Sequence, residues 1–84
     1  MLPDGFHWQE WSGSHSLYMD GRVVAKYSSA PGAPYVLAYL HCDTIRMGAR
    51  TYPSEAYVRA YIEGWARKWH IQLREEYAGV ARHA

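Results

Sequence analysis

Hydrophobic and polar residues change their period once along this chain, near Pro53. Before it, apolar positions recur every second residue or in short runs broken by Gly, Pro, Asp and Ser, which marks extended segments joined by turns. After it they recur every three or four residues, which marks an amphipathic helix. With Val58 as zero and about 100° per residue, Val58, Ile62, Trp65, Trp69 and Leu73 fall within roughly 80° of arc and predict one buried stripe. Arg59, Glu63, Arg67, His70 and Arg74 gather on its flank and predict a solvated face, with Glu63 paired to Arg67 at the i,i+4 offset for about 0.2–0.5 kcal/mol.

The extended half predicts four or five strands. Phe6, Trp8 and Glu10 alternate with His7, Gln9 and Trp11 in a first strand with one face partly wet, and Ser12-Gly13 ends it. Ser14 to Met19 and Arg22 to Ser28 flank Asp20-Gly21, a dipeptide suited to the two positive-φ positions of a type I′ hairpin turn. That turn sets Leu17 opposite Val24, with Leu17, Met19 and Val24 on one side and Tyr18, Val23, Ala25 and Tyr27 on the other. A three-residue loop with a bulge sets Leu17 opposite Val23 and exchanges the faces; the two-residue turn is the expected form. Ser28 to Pro34 is a loop, Tyr35 to His41 an apolar run that reads as a central strand, and Ile45 to Tyr52 an edge strand broken at Gly48 after a turn at Asp43-Thr44.

Pro53 ends the extended phase. Ser54 stands at the N-cap, its hydroxyl placed to accept from the N–H of Ala56 or Tyr57, and Glu55 complements the positive end of the helix dipole. The register brings Glu76 to the centre of the stripe, so the helix is expected to have passed the sheet there, with Tyr77 and the tail projecting and Gly79 as the C′ stop. The chain therefore reads as a single α+β domain over residues 1–84: an antiparallel β-meander of four to five strands with one long C-terminal α-helix packed on one sheet face, and with residues 1–5 and 79–84 frayed.

Composition narrows the function classes. Eighty-four residues support one core without metal or disulfide, and eight Tyr, four Trp and one Phe give it a large apolar area whose polar tips need partners at the rim. Nine Lys and Arg against eight Asp and Glu leave a net charge of +1, which lacks the basic field of a strong duplex binder and the acidity of a nucleic-acid mimic. The single cysteine, Cys42, fits a reducing compartment, and neither a leader pattern nor an apolar run of about 18 residues is visible. A soluble, cytoplasmic protein is expected.

Candidate chemistry is sparse. His7, His15, His41, His70 and His83 show no i,i+4 pair, and His41-Cys42-Asp43, the one local cluster, lies on a strand end where neighbours point to opposite faces, so no metal site is assigned. Triads converge in space rather than in consecutive residues, and Cys42 reads more simply as a small buried hydrophobe. No Gly-rich phosphate loop is present, and neither a cofactor, a small-molecule substrate nor an enzymatic activity is expected.

Two binding surfaces remain. Strands apolar on both sides, with a helix able to cover one, leave a sheet face for a second copy of the chain or another protein, with Trp11, Tyr18 and Tyr27 as anchors. Arg22, Lys26, Arg46 and Arg50, beside Tyr18, Tyr27, Tyr35 and Tyr39, form the alternative: a modest basic and aromatic sheet face for single-stranded nucleic acid.

A Trp-containing strand, the hairpin Leu17-Tyr18-Met19-Asp20-Gly21-Arg22-Val23-Val24-Ala25, a further strand, and Arg50-Thr51-Tyr52-Pro53-Ser54-Glu55-Ala56 opening a helix with Trp65-Ala66 resemble small uncharacterised phage and prophage proteins over nearly the whole chain. The resemblance implies a phage-type accessory protein in the host cytoplasm, with no known activity. The aromatic strand, tight hairpin and helix cap are also similar to the arm-site DNA-binding domain of tyrosine integrases; this chain departs from it in having fewer basic residues on the sheet and an additional strand pair before the helix. The expected function is a non-catalytic interaction module that self-associates, as a homodimer, or that binds and modulates a host or defence protein.

Overall fold

The computed structural model describes the backbone of residues 2–83 and the side chains of residues 2–79. Strands β1 (Phe6–Trp11), β2 (Ser14–Met19), β3 (Arg22–Ser29), β4 (Val36–Leu40) and β5 (Gly48–Tyr52) form one antiparallel sheet in chain order, and helix α1 (Glu55–His83) packs on one of its faces. This is the α+β meander that the change of period predicts.

The β2–β3 turn is the two-residue form, with Asp20 at φ 53 and Gly21 at φ 86 and Met19 opposite Arg22. Two residue pairs further on the register shifts: Tyr18 faces Val23, but Leu17 faces Ala25, so Val24 is an additional bulge residue. This corrects the expected sorting of faces. Ala25 and Tyr27 join Leu17, Met19 and Val24 in the core, while Tyr18 and Val23 stay half-buried on the reverse side. A single inserted residue reverses everything after it, because side chains alternate with period two.

The core under α1 is built from Leu17, Val24, Val58, Ile62 and Leu73, each at most 2% exposed and each contributing about 1.5–3 kcal/mol on burial. Ser54 caps the helix as expected, its Oγ accepting from Tyr57 N at 3.1 Å. The buried stripe is Val58, Ile62, Ala66, Leu73 and Tyr77, centred about 30° further round the helix than the expected arc. Trp65 becomes a flank residue that packs against the core, and Trp69 is 41% exposed. Helical geometry breaks at Trp69 itself (φ −116, ψ 16), which turns that ring out of the stripe.

Nor is the expected solvated flank of α1 simply solvated. Glu63 accepts from Trp8 Nε1 at 2.8 Å and pairs with Arg59 at 3.7 Å, and Arg59 lies 4.6 Å from the Trp8 ring centre. Arg74 reaches Asp20 at 3.0 Å and the carbonyl of Asp4 at 2.6 Å. These side chains stitch α1 to β1 and to the hairpin turn.

Both ends depart from the expected fraying. Leu2 packs against the core and Phe6 N donates to Pro3 O at 3.2 Å. At the other end α1 continues through Gly79 to His83, and Tyr77 is buried, so Gly79 is not a stop. Met1 and Ala84 lie outside the described residues. Among the described residues no helix is long and apolar enough to cross a membrane.

Candidate functional site

Between β4 and β5 the chain makes a strained turn that aims one side chain at the helix. His41 (φ 56) and Asp43 (φ 62) both occupy the left-handed region, which costs non-glycine residues about 1 kcal/mol or more each. Thr44 holds the turn, its N–H and hydroxyl donating to His41 O at 3.2 and 2.9 Å. The His41 imidazole thereby meets Glu76, with Nδ1–H donating to Oε1 at 2.8 Å, and lies edge-on to Trp65 with ring centres 5.3 Å apart.

Glu76 is the residue that sequence reasoning placed past the sheet. Its second oxygen, Oε2, is buried without a hydrogen-bond partner among the described residues; Arg46 Nη1 stands 3.6 Å away, within ion-pair range but beyond hydrogen-bond reach. A helical carboxylate drawn under a strained turn is legible only from the turn, and nothing in the local sequence announces it.

Around this pair the flank of α1 facing β5 is open, because the helix side of β5, set by pairing with Leu40, Ala38 and Val36, carries Gly48, which has no side chain, and an exposed Arg50 before the half-buried Tyr52. A cleft of about 280 Å³ reaches His41, Arg46, Trp65, Trp69 and Glu76. A neighbour of about 380 Å³ shares His41, Arg46 and Trp65 with it and extends to Arg50, Tyr52 and Tyr61. A third, of about 370 Å³, runs along the helix past Tyr61, Trp65, Lys68 and Trp69. Tyr57 and Tyr61 lie 5.9 and 5.4 Å from the ring of Tyr52, so aromatic contacts continue the row towards the helix start. Tyr57, Tyr61, Trp65 and Trp69 stand four residues apart, a signal present in the sequence but hidden when Trp65 and Trp69 are assigned wholly to the core.

Cys42 is 4% exposed, and burial pushes its thiol pKa up. A reactive thiol needs the opposite shift and access to solvent. Tyr77 lies beside it, its hydroxyl donating to Cys42 O at 2.7 Å, and burial raises the phenol pKa strongly; Tyr52 is shifted upward by partial burial too. Among the described residues no three of His, Cys, Asp and Glu converge as metal ligands would.

The predicted anchors separate. Trp11, 84% exposed, and Tyr18, stacked on His7 at 5.3 Å, lie on the sheet face away from α1. Tyr27 does not: it is 3% exposed under the helix, stacked on His15 and bonded through its hydroxyl to Arg59. The reverse face is also less apolar than expected, since Tyr18, Val23, Leu37 and Tyr39 are interleaved with Ser16, Lys26, Ser28 and Thr51.

The four basic residues do not form one strip. Lys26 lies on the reverse face over Tyr39, with 5.3 Å to the ring centre. Arg22 caps the carbonyl of Tyr77 at 3.3 Å on the helix side. Arg46 and Arg50 come together at the groove beside β5. Tyr35, expected beside the strip, is 49% exposed just before β4.

Neither a protein-family model, nor a curated protein, nor a solved structure matches the chain. The reading of function therefore rests on these surfaces.

Proposed function

We propose that the protein is a non-catalytic interaction module of phage or prophage type, acting in the cytoplasm of the host cell, and that it self-associates through the sheet face that α1 leaves uncovered. One observation carries the reading: the helix lies on one side of a five-stranded sheet, and the other side presents half-buried Tyr18, Val23, Leu37 and Tyr39 with Trp11 standing clear at its corner. Interleaved polar groups suit a partner surface that is solvated when alone, as in non-permanent interfaces. The phage assignment is supported by the sequence resemblance alone.

The size of the face sets the expected strength. Strands about 4.8 Å apart and about 17 Å long make a face of roughly 400 Å². Two copies would bury on the order of 800 Å² of this plane, at the weak, transient end of specific interfaces. Sedimentation velocity over a concentration series is expected to show reversible dimerisation, lost in Trp11→Ala combined with Tyr18→Asp. A wild-type monomer at every concentration would reject self-association.

A second reading is nucleic-acid binding. It is favoured by the meeting of Arg46 and Arg50 with Tyr52, Tyr61 and Trp65 in one groove, away from the self-association face.

A further inference from the structure

We propose that the groove between α1 and β5 holds a short segment of single-stranded nucleic acid, with Trp65 as its central stacking post. The inference develops the second reading and shares no residue with the self-association face. Trp65 borders all three clefts; Tyr61 separates the second from the third, and Trp69 the first from the third. Positions at i,i+4 on a regular helix rise by about 6 Å, close to twice the roughly 3.4 Å between stacked bases, so the regular step from Tyr61 to Trp65 is scaled for one intervening base, and the break at Trp69 turns the next ring outward. The row winds by about 40° per step, so the strand would follow a curved path around α1.

Charge follows the same spacing. Arg46 borders the first and second clefts, Arg50 the second and Lys68 the third, so every slot pairs at least one aromatic ring with a cation. Backbone phosphates and bases alternate in this way along a strand, and sequence-tolerant binders combine a cationic track with stacking platforms. An acidic peptide would satisfy the cations but brings no flat ring for each slot.

Nuclear magnetic resonance tests this directly, because the four tryptophans give four indole N–H signals distributed over the molecule. Titrating the full chain with hexathymidylate at low salt is expected to move the Trp65 and Trp69 signals and leave those of Trp8 and Trp11 in place. A hexamer with the same sugar–phosphate backbone but no bases is expected to bind at least about tenfold more weakly, and the Trp69→Ala variant to lose about 5- to 150-fold in affinity. With three cations engaged, log K should fall against log salt with a slope of about −2, reduced by about 0.7 in Arg50→Gln. Trp69 and Arg50 are exposed, so neither change opens the core.

Several outcomes would overturn the proposal. They are no movement of the Trp65 and Trp69 signals at millimolar hexamer, equal binding of the base-free hexamer, or movement of Trp11 in their place. Thymidine monophosphate binding as tightly as the hexamer would replace the strand with a nucleotide. An acidic peptide binding the same signals as tightly would replace it with a protein.

Discussion

The Tyr77 hydroxyl donates a 2.7 Å hydrogen bond to the main-chain oxygen of Cys42, joining α1 to the strained turn after β4 across 35 residues of chain. Both partners are buried, so the carbonyl has no ready alternative in water. Tyr77→Phe keeps the ring and removes the donor. We expect a loss of about 1–3 kcal/mol in urea denaturation, the range for stranding one buried acceptor.

Burial also sets an alkaline limit on stability. The Tyr77 phenol has a folded pKa raised above its unfolded value of about 10. Once pH exceeds that value the unfolded chain binds fewer protons than the folded one, so stability falls as pH rises. The fall should begin near pH 10 and continue towards the raised folded pKa, with at most about 1.4 kcal/mol per pH unit from this group. Cys42 and Tyr52 act in the same direction, Cys42 from a lower starting pH. Urea midpoints measured between about pH 8 and pH 11 check the sign, and Tyr77→Phe should flatten the slope.

Gly79 distinguishes a helix interior from a helix stop. It lies inside α1, its φ is outside the left-handed region, and an added Cβ meets nothing within 4 Å. Gly79→Ala is therefore expected to stabilise the fold by up to about 1 kcal/mol, raising the melting temperature by about 4–8 °C for each kcal/mol gained. A helix ending there in a left-handed residue would be destabilised by the same substitution.

Gly5 is the opposite case. Its φ is +87, and a Cβ there would collide with Asp20 Oδ1 and approach Arg74 Nη2 to 2.8 Å. Gly5→Ala should cost about 2 kcal/mol or more, combining left-handed strain with disruption of the Arg74–Asp20 pair. Gly13, at φ +84 with no atom within 4 Å of an added Cβ, provides the control. Thermal melts of the two alanine variants should separate strain, present in both, from collision, present only at position 5.

Local signals account for what could be read from the sequence. The Asp20-Gly21 turn, the strand sequence, the Ser54 cap and the helix beyond it each depend on residues near one another in the chain, and each is present. Misassignments begin where a distant partner decides. The bulge at Val24 moves Tyr27 beneath the helix, and the break at Trp69 turns an apolar ring outward. Glu63 reads as solvent-facing because the helical period places it on the flank outside the buried arc, whereas its donor in the fold is the Trp8 indole, 55 residues away in the chain. His41 and Glu76 are likewise joined only by the folded topology. Of the candidate surfaces, Trp11 and Tyr18 were legible from strand alternation. The groove was not, since it depends on the register that sets Gly48 opposite Leu40 on the helix side of β5, where no side chain fills the space.

The meander also dictates an order of appearance during translation. Each strand can pair with its predecessor as soon as it leaves the ribosome, so the sheet can assemble progressively. Its greasy inner side has to wait, because the segment that shields it is made after all five strands. Until α1 emerges, Leu17, Val24, Val36 and Ala38 have no lid, and a nascent chain stalled before Pro53 would expose them to every other unfinished protein nearby.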